Sequence, residues 1–262
     1  MKKLIKYLHL WWMMSKNSFV MVFYSKAALV IFLTGKILRF GFFVIFLIFL
    51  LKGTNSLAGY NLNQTLFFFL TYTIVDTLSQ FLFREVYRFR PQIISGDFDL
   101  TLSKPISALF RSLLGGADVI DLITVPPLIY ALIYVGAMLH PTLFQIFIYI
   151  ILLLSGLLIA TAFHIAVLSL AILSLEIDHA VMIYRDIVSL GRFPTDIYKE
   201  PLRGVLTYLV PVGLMVTLPA QFLIGLVTFQ GVLVSFLVCA VFLFASVSLW
   251  KFALRYYTSA SS

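Results

Sequence analysis

The feature that constrains this chain most is the length of its uncharged apolar runs. No Asp, Glu, Lys or Arg interrupts the stretch from Leu143 to Leu175. A helix needs about 20 residues to cross the hydrocarbon core of a bilayer, and this run exceeds that. Shorter apolar runs recur at Ile37–Leu51, Gln64–Phe83 and Ala117–Leu139, each with one or two charges, and at Gly231–Trp250, with none. Barrel strands alternate apolar and polar residues over roughly ten positions, and these runs do not alternate. Composition agrees: 61% of the 262 residues are hydrophobic and 11% charged. Soluble domains sit nearer 45–50% apolar and about 25% charged, so there is too little polar surface to cover a water-soluble ball. The same composition excludes disorder and a collagen-like chain. The expected class is an all-α polytopic membrane protein, a single membrane domain over 1–262 with no large soluble part.

The excess of Lys and Arg over Asp and Glu, 19 against 11, would suit a nucleic-acid binder, but its distribution suits a membrane protein. Basic residues gather before residue 36, in Arg84–Arg111 and at Lys251 and Arg255, while the loops around Lys52 and His140 are poor in them. Cytoplasmic loops carry the Lys and Arg excess. The pattern therefore puts both termini and the Arg84–Gly116 segment in the cytoplasm and requires an even number of spans. Residues 1–36 read as an amphipathic interfacial helix, with Lys2, Lys6, His9 and Lys16 near one stripe and Leu4, Leu8, Trp11, Trp12 and Phe19 on the other side. The start lacks a small-residue cleavage site and is not read as a removed signal peptide.

The stretch between the fourth and the last apolar run is ambiguous. Glu176–Phe193 is helical in pattern but carries Glu176, Asp178, His179, Arg185 and Asp186; Gly204–Gly225 is apolar but broken by Pro211, Gly213 and Pro219. Either Gly204–Gly225 is the fifth span and Glu176–Arg203 a cytoplasmic loop, or Glu176–Phe193 is a polar fifth span and 194–228 an external, re-entrant region. Non-helical breaks at membrane depth are tolerated where protein surrounds them. The residues alone leave both arrangements open.

Several chemistries are missing. There is no phosphate-binding G-x-x-x-x-G-K-[ST] loop, no G-x-S-x-G and no H-E-x-x-H. The lone Cys239 excludes a disulfide framework. Glu176, Asp178 and His179 match no metal-binding spacing, and no metal site is expected. Asp76 lies inside the second span, where an ionisable group is costly and faces a partner or cavity. His164 reads as a hydrogen-bonded packing residue. Asp118 and Asp121, three residues apart, suit pairing with a loop arginine.

Three segments resemble one known family. Gly96-Asp97-Phe98-Asp99-Leu100-Thr101-Leu102-Ser103-Lys104-Pro105-Ile106-Ser107-Ala108-Leu109-Phe110-Arg111 is similar to a stretch of the bacterial type-2 ABC transporter permeases. So are Arg192-Phe193-Pro194-Thr195-Asp196-Ile197-Tyr198 with Pro211 and Pro219, and the tail Leu254–Ala260. Lys199 departs from the family, which often has proline there.

The resemblance implies an interfacial helix, six transmembrane helices, and a re-entrant segment before the last span, which favours the second arrangement. It implies the transmembrane permease subunit of an ATP-driven exporter, multi-pass in a bacterial inner membrane, pairing with a second copy or a paralogous permease. It is not itself an enzyme: ATP and Mg would sit on two separate ATPase subunits, with no cofactor on this chain and no nucleic acid.

The ATPase-coupling helix would lie in 84–116, carried by Gly96, Asp97, Phe98, Asp99, Leu100, Leu102, Pro105, Phe110 and Arg111. Its apolar side chains are too many for a free loop. The path and gate would be drawn from Asp76, Glu176, Arg185, Asp186, Phe193, Pro194, Tyr198, Pro211 and Pro219, with Arg185 paired to Glu176 or to Asp186 of a second copy. The alternatives are an ion-gradient-driven transporter or channel using Asp76, His164 and Glu176, and an intramembrane enzyme using His164, Glu176 and His179.

Overall fold

The computed structural model describes residues 2–174 and 180–258. Among them it is helical throughout, without strands. Five helices are long and apolar enough to cross a membrane: α2 (Lys26–Thr54), α3 (Leu62–Leu82), α7 (Val119–Ala137), α8 (Leu143–Leu173) and α12 (Phe229–Arg255). Helix α1 (Lys2–Tyr24) precedes them. Short helices α4 (Phe89–Ile94), α5 (Asp97–Leu102) and α6 (Ala108–Leu114) fill the segment between α3 and α7.

The starts of these helices are written in the sequence. Asn61 and Gln64 form a capping box at α3, and Thr142 and Gln145 form another at α8. Each box satisfies two backbone donors that a helix start leaves open. Asp118 caps α7 by accepting from the Ile120 amide at 2.8 Å. The expected interfacial segment 1–36 divides at Ser25: residues 26–36 form the first turns of α2, so the first long helix starts well before Ile37. Pro126 and Pro127 lie inside an unbroken α7.

Helix α12 packs along α8, and α7 along α3. Helix α2 stands apart, with only Leu47 and Leu51 buried along its length. The bundle has two distinct ends. At the basic end, Phe89 and Phe98 meet Trp250 of α12. There α1 lies against the same layer: Tyr7 Oη accepts from the Ser107 amide, and Ser15 Oγ from the Ala117 amide. The opposite end carries the loops after α2, α7 and the crossing described next.

Helix α9 (Ala180–Ser189) has ten residues, about 15 Å of helix. Val181 belongs to the buried cluster that includes Val86, Phe98 and Trp250 at the basic end. Fifteen residues later in the chain, Asp196 meets Tyr60, in the loop between α2 and α3. The described part of the chain from 180 to 197 therefore runs from one end of the bundle to the other. Next come two limbs, α10 (Leu202–Leu209) and α11 (Gly213–Leu223), bent by 72° where they meet. Together they are apolar enough for one more crossing, but one carboxylate ties both outer ends. Asp196 accepts from Arg203 at 2.6 Å and from Gln221 at 2.6 Å. By length and composition the bent pair fits a broken span or a re-entrant loop; its two ends meeting on one side chain favours the re-entrant arrangement. Its tip reaches the core: Val212 is buried beside Gly191 and packs with Tyr72 and Val216.

Candidate functional site

A cavity of about 370 Å³ opens between α2, α3 and α7. Phe40, Phe43, Phe69 and Leu128 give it apolar walls, and Pro127 and Ala131 line the α7 side. Its charged and amide groups are Lys36 and Arg39 from α2, Asp76 and Gln80 from α3, and Arg192 from beyond α9, with hydroxyls from Tyr72, Thr73, Thr77 and Thr124. Three ionisable side chains on apolar helices, with Arg192 beside them, form an expensive arrangement, so their partners matter. Lys36 is paired with the buried Asp121. Gln80 Nε2 donates to Asp76 Oδ2 at 2.7 Å. The Arg192 guanidinium lies 5.9 Å from the Phe43 ring centre and 5.8 Å from that of Tyr72, within cation–π range. Arg39 has no carboxylate within ion-pair distance among the described residues.

Asp76, expected to face a cavity or partner, does face this one. On its other side a small pocket holds Tyr87, His164, Tyr184 and Arg185. Arg185 lies 5.8 Å from the Tyr87 ring centre. Within the chain Arg185 thus faces Tyr87 and lines the same small pocket as Asp76, while Asp186 is exposed; the expected pairing of Arg185 with Asp186 of a second copy lies between chains. Its other expected partner, Glu176, lies outside the described residues, as do Asp178 and His179. Burial pushes the Tyr87 phenol up, and the Arg185 cation opposes that. His164 is a satisfied packing residue: its Nδ1 sits 2.8 Å from the Ala160 carbonyl, and its ring lies between Phe83 and Tyr184. Among the described residues no three His, Cys, Asp or Glu side chains gather in a way that could hold a metal ion.

The hairpin gathers the remaining expected gate residues. Phe193 packs on Phe43, with ring centres 5.6 Å apart. Pro194, Pro211 and Pro219 are buried. Tyr198 Oη donates to the Leu190 carbonyl at 2.8 Å, and burial raises its phenol above the ordinary range. Tyr60 Oη donates to Asp196 Oδ2 at 2.7 Å, and Gln221 Nε2 donates to both oxygens. A polar cavity of about 260 Å³ lies between these groups and Thr207, Gly213 and Thr217.

The basic end forms a tied layer. Glu85 is buried; it accepts from Arg111 at 2.9 Å and from Gln92 at 2.7 Å, so one carboxylate joins α4 and α6 to the turn after α3. Arg111 is therefore committed inside the layer. Gly96, in the left-handed region at φ +79°, reverses the chain into α5, where Ser95 Oγ donates to Asp97. Phe98, expected on a docking face, points inward: it is 0% exposed and packs on Phe89, Trp250 and Tyr257. Burial first, and the neighbouring Asp99 carboxylate second, push the Tyr257 phenol up to about 12. Phe110 rests edge-on against Tyr7. What stays open is an apolar edge of Ile94, Leu100 and Leu102, with Pro105 exposed beside it. Asp118 pairs with Arg84 at 3.3 Å, as expected of a loop arginine, whereas Asp121 takes Lys36 instead.

Sequence reasoning found Asp76 but missed Lys36, Arg39 and Arg192 as cavity residues. Lys36 was hidden at the end of the expected surface helix, whereas Arg39 was legible as a charge inside the expected first span. The Tyr60–Asp196–Gln221 cluster joins three distant segments and leaves no local signal.

A family model described as "ABC-2 family transporter protein" matches residues 36–261. Neither the curated proteins nor the solved structures contain a match.

Proposed function

The chain belongs to the ABC-2 transporter family, which makes it a multi-pass permease component of an ABC transporter and not itself a catalyst; from this we propose that it is the membrane subunit of an ATP-driven exporter. ATP and Mg bind two separate ATPase subunits. Those subunits dock at the basic end, which faces the cytoplasm of a bacterial cell together with both termini. A second copy or a paralogous permease completes the path.

The observation that carries this reading is the construction of the basic-end layer. Exposed Ile94, Leu100 and Leu102 offer an apolar edge to a partner, with Leu100 61% exposed. Directly behind that edge Phe98 is wedged against α12. A push on α5 therefore reaches α12 and, through the helix pair, α8. Packed cores switch between discrete arrangements rather than deforming smoothly, so a rigid wedge suits transmission. The positive-inside distribution supports the orientation. The pairing of two copies is supported by α9, which exposes Asp186 beside Met182 and Ile183 on a crossing segment; a carboxylate there needs protein or water against it.

The test is co-purification of the ATPase encoded beside this chain. Replacing Ile94, Leu100 and Leu102 together by Ala should cost about tenfold or more in ATPase retention, because interface energy concentrates in a few apolar anchors. The folded yield should stay unchanged, since all three side chains are exposed. Phe98→Ala should instead lower thermal stability by about 3–5 kcal/mol. Full retention by the triple variant would place the docking edge elsewhere. No ATPase binding to the intact chain would remove the exporter reading and bring forward an ion-driven transporter using Asp76.

A further inference from the structure

We propose that the cavity between α2, α3 and α7 binds an anionic amphipath, a molecule with an acidic headgroup and an apolar tail. Its volume of about 370 Å³ falls within the range of ligand sites, about 300–1,000 Å³. The walls are aromatic and aliphatic, so the larger part of an occupant is apolar. Among the charged groups of the lining, cations are in excess. Lys36 is spent on Asp121, which leaves Arg39 and Arg192 against Asp76. Asp76 is already engaged by Gln80. Neither guanidinium has a carboxylate within ion-pair distance among the described residues.

The rings around Arg192 attract its charge but do not neutralise it. A cation at membrane depth requires a counter-charge, and for two guanidiniums the described lining offers one carboxylate, Asp76, which pairs with neither at ion-pair distance. A phosphate or carboxylate headgroup does. Guanidinium recognises such groups through paired, charge-assisted hydrogen bonds. A cationic occupant is disfavoured, since it would face two guanidiniums with one carboxylate for support. A neutral lipid would leave the guanidiniums as they are.

The site does not depend on the exporter reading. That its occupant is cargo does rest on that reading, and the two are tested apart.

The purified chain, without any ATPase, is exchanged into equimolar dioleoyl phosphatidylglycerol and dioleoyl phosphatidylcholine, and bound lipid is counted by native mass spectrometry. The intact chain should retain phosphatidylglycerol preferentially. Arg39→Gln with Arg192→Gln should reduce that preference about tenfold, since a charge-assisted hydrogen bond contributes roughly 1.5–3 kcal/mol. Arg39→Lys should keep most of it. Ala131→Leu fills the cavity with both guanidiniums in place and should also lose the lipid. That separates the cavity from charge on the outer surface, and it remains informative if the arginine double variant fails to fold.

Equal retention of the two lipids, or a preference that survives both the double variant and Ala131→Leu, overturns the proposal. Displacement by inorganic phosphate alone would reduce the site to one for small anions and overturn the amphipath. If lipid preference is intact while the ATPase fails to co-purify, the site stands and its role as a cargo site falls.

Discussion

Tyr60 shows how one side chain at a loop can govern a distant element. Its hydroxyl links Asp196 and Gln221, and Asp196 in turn holds Arg203. Replacing it by Phe keeps the ring contact with Phe68 but removes one donor and one acceptor. We expect Tyr60→Phe to cost about 1 kcal/mol and to speed amide exchange in 202–223 before the rest of the bundle. The same residue gives a pH signature. Burial first, with the Asp196 carboxylate beside it, pushes its phenol from 10.0 up to about 12. Below pH 10 the phenol is protonated whether the chain is folded or unfolded, and its contribution is whole. Between about 10 and 12 the unfolded chain releases the proton while the folded one keeps it, so stability falls as pH rises. Unfolding midpoints at about pH 8 and about pH 11 should therefore separate more for the intact chain than for Tyr60→Phe. Asp76 was legible at this scale because a carboxylate in an apolar run stands out by itself. Tyr60, Asp196 and Gln221 were not, because each is ordinary in its own neighbourhood.

The elements divide by how they bury their backbone. Helices α3, α7, α8 and α12 satisfy their own amides over long apolar runs, so hydropathy places them to within a few residues. The hairpin is different: its breaks at Val210–Val212 are tolerated only because α8, α3 and the turn at Gly191 enclose them. Its closest approach is at Gly156 of α8, where an added Cβ would stand 2.6 Å from the Met215 carbonyl oxygen. Gly191 makes the matching gap, with a Cβ position 2.6 Å from Val212 Cγ1. We expect Gly156→Ala to push the hairpin off α8 and to lower stability by about 1–3 kcal/mol. Gly35→Ala on α2, where nothing lies within 4 Å, should be neutral or raise stability by roughly 0.5–1 kcal/mol through helix entropy. Thermal unfolding of the two variants in one detergent checks the contrast. The sequence could not choose between a crossing and a hairpin for 204–225, since composition fits both; what favours the hairpin is one carboxylate eight residues upstream of that segment.

At the scale of the whole molecule the two ends differ in charge and in construction. One end is a tied basic layer; the other is a set of short loops around Asp196. In a chain with Cys239 replaced by Ala, Lys104→Cys and Glu200→Cys, both exposed, should react with a membrane-impermeant thiol reagent from opposite sides. Glu200→Cys should react in intact cells and Lys104→Cys only after permeabilisation; the reverse pattern would invert the orientation. The short crossing through α9 also bears on how such a protein is made. Membrane segments are released into lipid largely on their own apolarity, and the stretch 180–197 contains Arg185, Asp186, Arg192 and Asp196. Each charge costs about 2.5–3.5 kcal/mol at the centre of an inserting helix. Such a stretch is not accepted by lipid alone; it enters only against neighbours that are already seated. If α9 carries the fifth crossing, as proposed, that crossing is a late act of assembly in biogenesis, and the newborn chain waits for the rest of itself before it can be threaded.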